Sequence, residues 1–70
     1  MIRFIINTKP DKNNNHEIHK ADCKHLPDER NRLGLGMNHN ARQVIRNMKH
    51  FMPKIKVDGC AHCCPECHKH

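Results

Sequence analysis

The 70-residue sequence predicts a single small domain of the α+β class, residues 1–70. The apolar, β-branched run at Ile2–Asn7 is typical of a β-strand, and the segment that begins at Ala41 has the 3.6-residue apolar spacing of a helix. Two pairs of side chains, His19 with Cys23 and Cys60 with Cys63, lie on either side of that helix. Their spacing suits a shared tetrahedral site, which would join the two ends of the chain.

The N-terminal part is expected to form a β-hairpin with a long loop. After the strand Ile2–Asn7, residues 8–15 contain Pro10, Asp11 and three asparagines, all of which favour turns. His16–Lys20 is expected to return as a second strand, with Ile18 on the face opposite His19. The far end of this hairpin would then carry His19.

The middle of the chain predicts one central helix. Leu33–Gly36 is compatible with a short strand. Asn38 or Asn40 is a suitable N-cap for the helix that follows, and Pro53 would stop it. We interpret the apolar stripe of this helix as core, with Met48 and Met52 beneath the metal loops; the stripe comprises Ala41, Val44, Ile45, Met48, Phe51 and Met52.

The C-terminal part predicts a strand and a tight cysteine turn. Lys54–Val57 alternates as a short strand does, and Gly59 permits the chain to turn into a Cys60-x-x-Cys63 knuckle. Pro65 is well placed for the first turn of a terminal helix.

The composition indicates that this domain needs more than an apolar core. Only 36% of the residues are hydrophobic, there are two phenylalanines and no Trp or Tyr, and mean hydropathy is −0.94. Five cysteines, an odd number, and the lack of a secretory signal argue against a disulfide framework and favour the cytoplasm. No apolar segment approaches the roughly 20 residues of a membrane span. Bound metal is the favoured source of additional stability.

The two side-chain pairs predict one structural Zn²⁺. Thiolates and imidazole in two short-range pairs are the usual ligands of a closed tetrahedral zinc site. The expected ligands are His19, Cys23, Cys60 and Cys63. Cys67 is the main alternative to His19, which would make the site all-thiolate.

The overlapping pair Cys64-x-x-Cys67 leaves a second interpretation open. Cys64 is the least expected ligand, because the side chains of adjacent residues tend to point apart. Together with Cys67 it could instead form the dithiol of a redox or metal sensor, although the βαβ pattern of a thioredoxin-like site is absent.

The positive charge of the chain bears on the kind of partner that it could bind. The formal net charge is +6, and Arg42, Arg46 and Lys49 recur at i, i+4 and i+7 beside the apolar stripe of the helix. Such a stripe can follow the phosphates of DNA or RNA, or it can be the solvated flank of a structural or protein-binding module. The chain has no serine and no glycine-rich phosphate loop, so a non-enzymatic module is expected. We also expect the module to be a monomer.

The order of these motifs resembles that of a group of small, largely uncharacterised bacterial proteins. The resemblance spans most of the chain and rests on Phe4–Thr8, Asn13–Asn15, Glu17–Cys23, the central helix, Asp58–Cys63 and Cys67–His68.

More remotely, the two pairs are similar to the zinc-binding domain of the Ada DNA-repair protein, in which two cysteine pairs hold one zinc. This similarity implies an α+β zinc domain with His19, Cys23, Cys60 and Cys63 as ligands, and it hints at DNA as a partner. His19 stands where the Ada domain has its methyl-accepting cysteine, so the similarity does not imply methyl transfer.

Overall fold

Within residues 1–69, which the computed structural model describes, the chain forms a four-stranded β-sheet and one α-helix. The strands are β1 (Ile2–Asn7), β2 (His16–Lys20), β3 (Arg32–Asn38) and β4 (Val57–Gly59), and the helix α1 spans Ala41–Phe51. Single 3-10 turns lie at Glu29–Asn31 and Pro65–Cys67. The predicted α+β class is confirmed, and no helix of residues 1–69 has the length and apolarity to cross a membrane.

The strand order of the sheet is β3-β1-β2-β4. β1 pairs antiparallel with both β2 and β3, whereas β2 and β4 run parallel, with Ile18 opposite Gly59. The Cys60 N–H continues this parallel ladder by donating to the Ile18 carbonyl at 3.0 Å. The end of β2 therefore lies beside the start of the cysteine turn, although the two are about 40 residues apart in sequence.

A small core lies between the sheet and α1. Phe4, Ile6 and Ile18 from the sheet pack with Ala41 and Val44 from the first half of α1. Two cysteines of the C-terminal turn, Cys64 and Cys67, complete this cluster. They occupy it as buried apolar side chains, which is the ordinary packing role of a free thiol.

One of the two candidate asparagines caps the N-terminus of the helix. The Asn40 side-chain oxygen accepts the Gln43 N–H at 2.9 Å, which identifies Asn40 as the N-cap. The prediction that the whole apolar stripe is core is wrong at its end. Phe51 is 76% exposed and Met52 47%, because the last turn of α1 extends past the buried cluster.

Met48 packs against the core cluster, which includes Cys64 and Cys67. It lines an apolar cavity of about 210 Å³ together with Ile6, Leu35 and Met52. The cysteine-bearing turn Pro65–Cys67 also packs against α1. Its residue Cys67 belongs to the same core cluster as Ala41 and Val44.

In the C-terminal part, two elements of the structure differ from those that the sequence predicts. The predicted strand Lys54–Val57 is displaced, because the parallel pairing with β2 begins only at Val57, while Lys54 lies in a turn and Ile55 in a bend. Pro65 does begin a helical turn, but only the 3-10 turn Pro65–Cys67 forms before the chain becomes extended at His68.

We predict that Gly59→Ala destabilises the domain by about 1–3 kcal/mol, because overpacking forces neighbouring atoms apart. A Cβ at this position would lie 2.8 Å from the Cβ of Cys67 and 2.9 Å from the Cys64 carbonyl oxygen. Urea unfolding of the purified proteins measures this loss. Gly34→Ala is the matched control, since a Cβ there meets nothing within 4 Å; equal stability of the two variants would contradict the prediction.

Candidate metal centre

Four predicted ligands converge at the end of β2. The potential ligand atoms of His19, Cys23, Cys60 and Cys63 all lie within 4.8 Å of one another. The Sγ atoms of Cys23 and Cys60 are 3.9 Å apart. Two thiolates on a tetrahedral zinc with Zn–S bonds of about 2.3 Å are separated by about 3.8 Å, so this spacing suits a shared ion. It is far longer than the S–S bond of a disulfide, and all five cysteines are free thiols.

Local turns at the ends of β2 and β4 place these four side chains. His19 lies within β2, and the Cys23 N–H bonds the Lys20 carbonyl at 3.0 Å, which turns the chain back toward the sheet. Cys60 follows β4 directly, and a 2.9 Å bond from the Cys64 N–H to the Cys60 carbonyl closes the second turn around Cys63. One pair thus lies at the end of β2 and the other at the end of its neighbour β4, at one edge of the sheet.

Backbone N–H groups face three of the four ligands. The His25 N–H donates to Cys23 Sγ and the His62 N–H to Cys60 Sγ, both at 3.4 Å. The Lys20 N–H donates to Cys63 Sγ at 3.2 Å. Such bonds stabilise the thiolate form that binds a metal, because they add partial positive charge at the sulfur.

One of the two ring nitrogens of His19 is left without a hydrogen-bond partner among the described residues. The side chain of His19 is buried, and this nitrogen is Nδ1. The other ring nitrogen, Nε2, lies 3.4 Å from the Glu17 carboxylate. A buried polar atom without a partner costs about 1–3 kcal/mol, which a bond to a metal would remove. A carboxylate behind a metal-binding histidine is also the usual means of orienting the ring.

Burial sets the protonation of this cluster. It lowers the pKa of His19, against the opposing effect of the Glu17 carboxylate, and so favours the neutral imidazole that can bind a metal. Burial raises the pKa of the Cys63 thiol well above its usual range, with the Lys20 N–H acting in the opposite direction. A cation would reverse this effect, because it favours the thiolate.

Cys64 and Cys67 lie outside the group of four. Cys67 is buried against Gly59 in the core. The expectation that Cys64 points away from its neighbour is wrong, because its Sγ is 3.7 Å from the Sγ of Cys63, within reach of an S–H···S hydrogen bond. Burial raises the pKa of both Cys64 and Cys67, whereas a reactive thiol usually has a lowered one.

Sequence reasoning missed the contact between two histidine rings. The imidazoles of His25 and His62 are stacked with their centroids 3.7 Å apart. A signal was present, since both follow a ligand cysteine at the same distance, in Cys23-x-His25 and Cys60-x-His62. The contact between Glu17 and His19 had a comparable signal, because residues two apart in a strand lie on the same face of the sheet.

The predicted nucleic-acid residues lie elsewhere on the fold. Arg42, Arg46 and Lys49 are all exposed on α1. Arg42 is close enough to the buried Cys67 to influence its pKa, which places the start of the stripe beside the C-terminal turn.

Comparison with protein-family models, curated proteins and solved structures finds no match.

We predict that zinc binding at pH 7 releases about three protons per ion, because a metal binds cysteine as the thiolate and each of the three thiols must lose its proton. His19 contributes none, since its lowered pKa leaves it neutral. The affinity for zinc should therefore rise with pH between about 6 and 8. Titration with Zn²⁺ in a weakly buffered pH indicator measures the count; a value near four would instead indicate that Cys67 replaces His19.

Proposed function

We propose that this chain is a non-enzymatic binding module whose fold is completed by one structural Zn²⁺. The observation that carries the proposal is the convergence of three thiols and the His19 imidazole at the junction of β2 and β4; among the described residues, Nδ1 of this imidazole has no hydrogen-bond partner. This donor set matches the preference of zinc for sulfur and nitrogen in tetrahedral geometry. The similarity to the Ada-type domain remains part of the proposal.

A closed site argues for structure rather than catalysis. Four protein ligands would fill the tetrahedron, whereas a catalytic zinc keeps one position for water or substrate. Three of the four ligand residues are also buried, which limits the approach of a substrate.

The energetic balance favours a structural role as well. The core cluster contains five buried aliphatic or aromatic residues and two cysteines. Zinc binding in small modules contributes roughly 10–16 kcal/mol, as much as the entire stability of an ordinary domain. The ion would therefore decide whether the domain is folded.

We expect Cys60→Ser to unfold the domain at room temperature, because losing one ligand removes much of a binding free energy of roughly 10 kcal/mol. His19→Ala should weaken zinc binding, while Cys67→Ala should keep one ion per chain. Circular dichroism and competition with a chromophoric chelator measure both properties. Full affinity in His19→Ala together with metal loss in Cys67→Ala would overturn the ligand set.

A second function, contact with nucleic acid, is supported by the arrangement of charge on α1. Arg42, Arg46 and Lys49 lie on one side of the helix and span about 10 Å along its axis. All three are exposed, so their charges are available to an anion. The net charge of +6 favours a polyanionic partner further.

The zinc-loaded protein is expected to bind a duplex oligonucleotide at about 50 mM salt, with an affinity that falls steeply as salt rises. The double variant Arg42→Glu/Arg46→Glu should weaken binding at least tenfold. Lys9→Glu/Lys12→Glu changes the net charge equally and is the control. Fluorescence anisotropy gives the affinities; equal losses in the two variants would mean that net charge alone drives binding, and no binding at all would favour a protein-binding or purely structural module.

A further inference from the structure

A groove at the C-terminal end of α1 has the chemistry of an anion site. Its volume is about 630 Å³, and none of its lining residues is acidic. Two lysines, Lys49 and Lys56, and two asparagines, Asn13 and Asn15, supply its polar groups. Pro53, Ile55 and Val57 supply its apolar part.

The loop that carries the asparagines is held in place by hydrogen bonds. The Asp11 carboxylate oxygen Oδ1 accepts the N–H of Asn13 at 2.8 Å and that of Asn15 at 2.9 Å. The Asp11 N–H in turn donates to the Asn15 carbonyl at 2.9 Å. This double connection closes the loop, and Asn15 is buried within it.

The two walls of the groove are also fixed relative to each other. The His16 N–H, at the end of the asparagine loop, donates to the Lys56 carbonyl at 2.9 Å. The next residue, Val57, begins the parallel pairing with β2 opposite His16. Lys56 therefore stays beside the loop, and only its side chain is free to reorient toward a ligand.

This groove continues the basic stripe of α1. Lys49 belongs to both surfaces, since it follows Arg46 on the helix and also lines the groove. A ligand that contacts Arg42 and Arg46 and continues along the helix axis would reach Lys49, which lines the groove together with Lys56. Repeated negative charges along a line are the property of a phosphodiester backbone, and lysine ammonium groups bind phosphate as point charges.

We propose that this groove binds a backbone phosphate of a nucleic acid between Lys49 and Lys56, with the side-chain amide of Asn13 as a further hydrogen-bond donor. The proposal rests on the nucleic-acid function proposed above and adds one phosphate contact beyond the α1 stripe. It predicts no preference for base sequence, because phosphates are the same at every step.

The test compares Lys56→Gln with Lys54→Gln in the zinc-loaded protein. Both lysines are exposed and only two residues apart, but Lys54 does not line the groove. Lys56→Gln should weaken binding to a 20-base-pair duplex by about 3- to 10-fold and reduce the slope of log affinity against log salt by about one. Lys54→Gln should change affinity less than about twofold. The loss should be equal for two duplexes of unrelated sequence.

The outcomes separate this proposal from the function on which it rests. Equal affinities of the two glutamine variants, with a large loss in Arg42→Glu/Arg46→Glu, would exclude the groove and leave the α1 stripe in place. Failure of the unaltered protein to bind any oligonucleotide at about 50 mM salt would exclude both. One bound zinc per chain in each variant confirms that the fold is intact, because Lys56 contributes to the fold through its carbonyl.

Discussion

The parallel pairing of β2 with β4 is the constraint on which the rest of this small fold depends. It joins segments about 40 residues apart and aligns Ile18 with Gly59. His19 follows Ile18 in sequence and Cys60 follows Gly59, so the same pairing that completes the sheet also assembles the candidate metal centre. Gly59 permits the close approach, since its missing Cβ leaves room for Cys64 and Cys67 behind it.

Local signals in the sequence predicted much of this structure. The bounds of β1 and β2 depend on neighbouring residues and agree with the pattern of apolar and polar side chains. The N-cap at Asn40 is one of the two asparagines that the sequence offered. The four clustered side chains were also predictable, because ligand chemistry restricts spacing more strongly than packing does.

What could not be predicted depends on contacts between distant segments. The helical period continues through Phe51, but periodicity does not reveal where the sheet beneath a helix ends. β4 begins at Val57 rather than Lys54, because its start is set by its partner His16. The nearness of Cys64 to Cys63 likewise follows from the backbone turn between Cys60 and Cys64, which a rule about adjacent side chains ignores.

The position of the two strands also bears on the order of folding. β1 and β2 are joined by the loop 8–15, whereas closing the much longer segment between β2 and β4 costs more conformational entropy and should occur later. The candidate ligands divide in the same way, with His19 and Cys23 on the early unit and Cys60 and Cys63 on the late one. Under the proposed metal assignment, an ion bound by His19 and Cys23 would gain Cys60 and Cys63 as ligands only when β4 pairs with β2. The last step of folding would then coincide with completion of the coordination sphere.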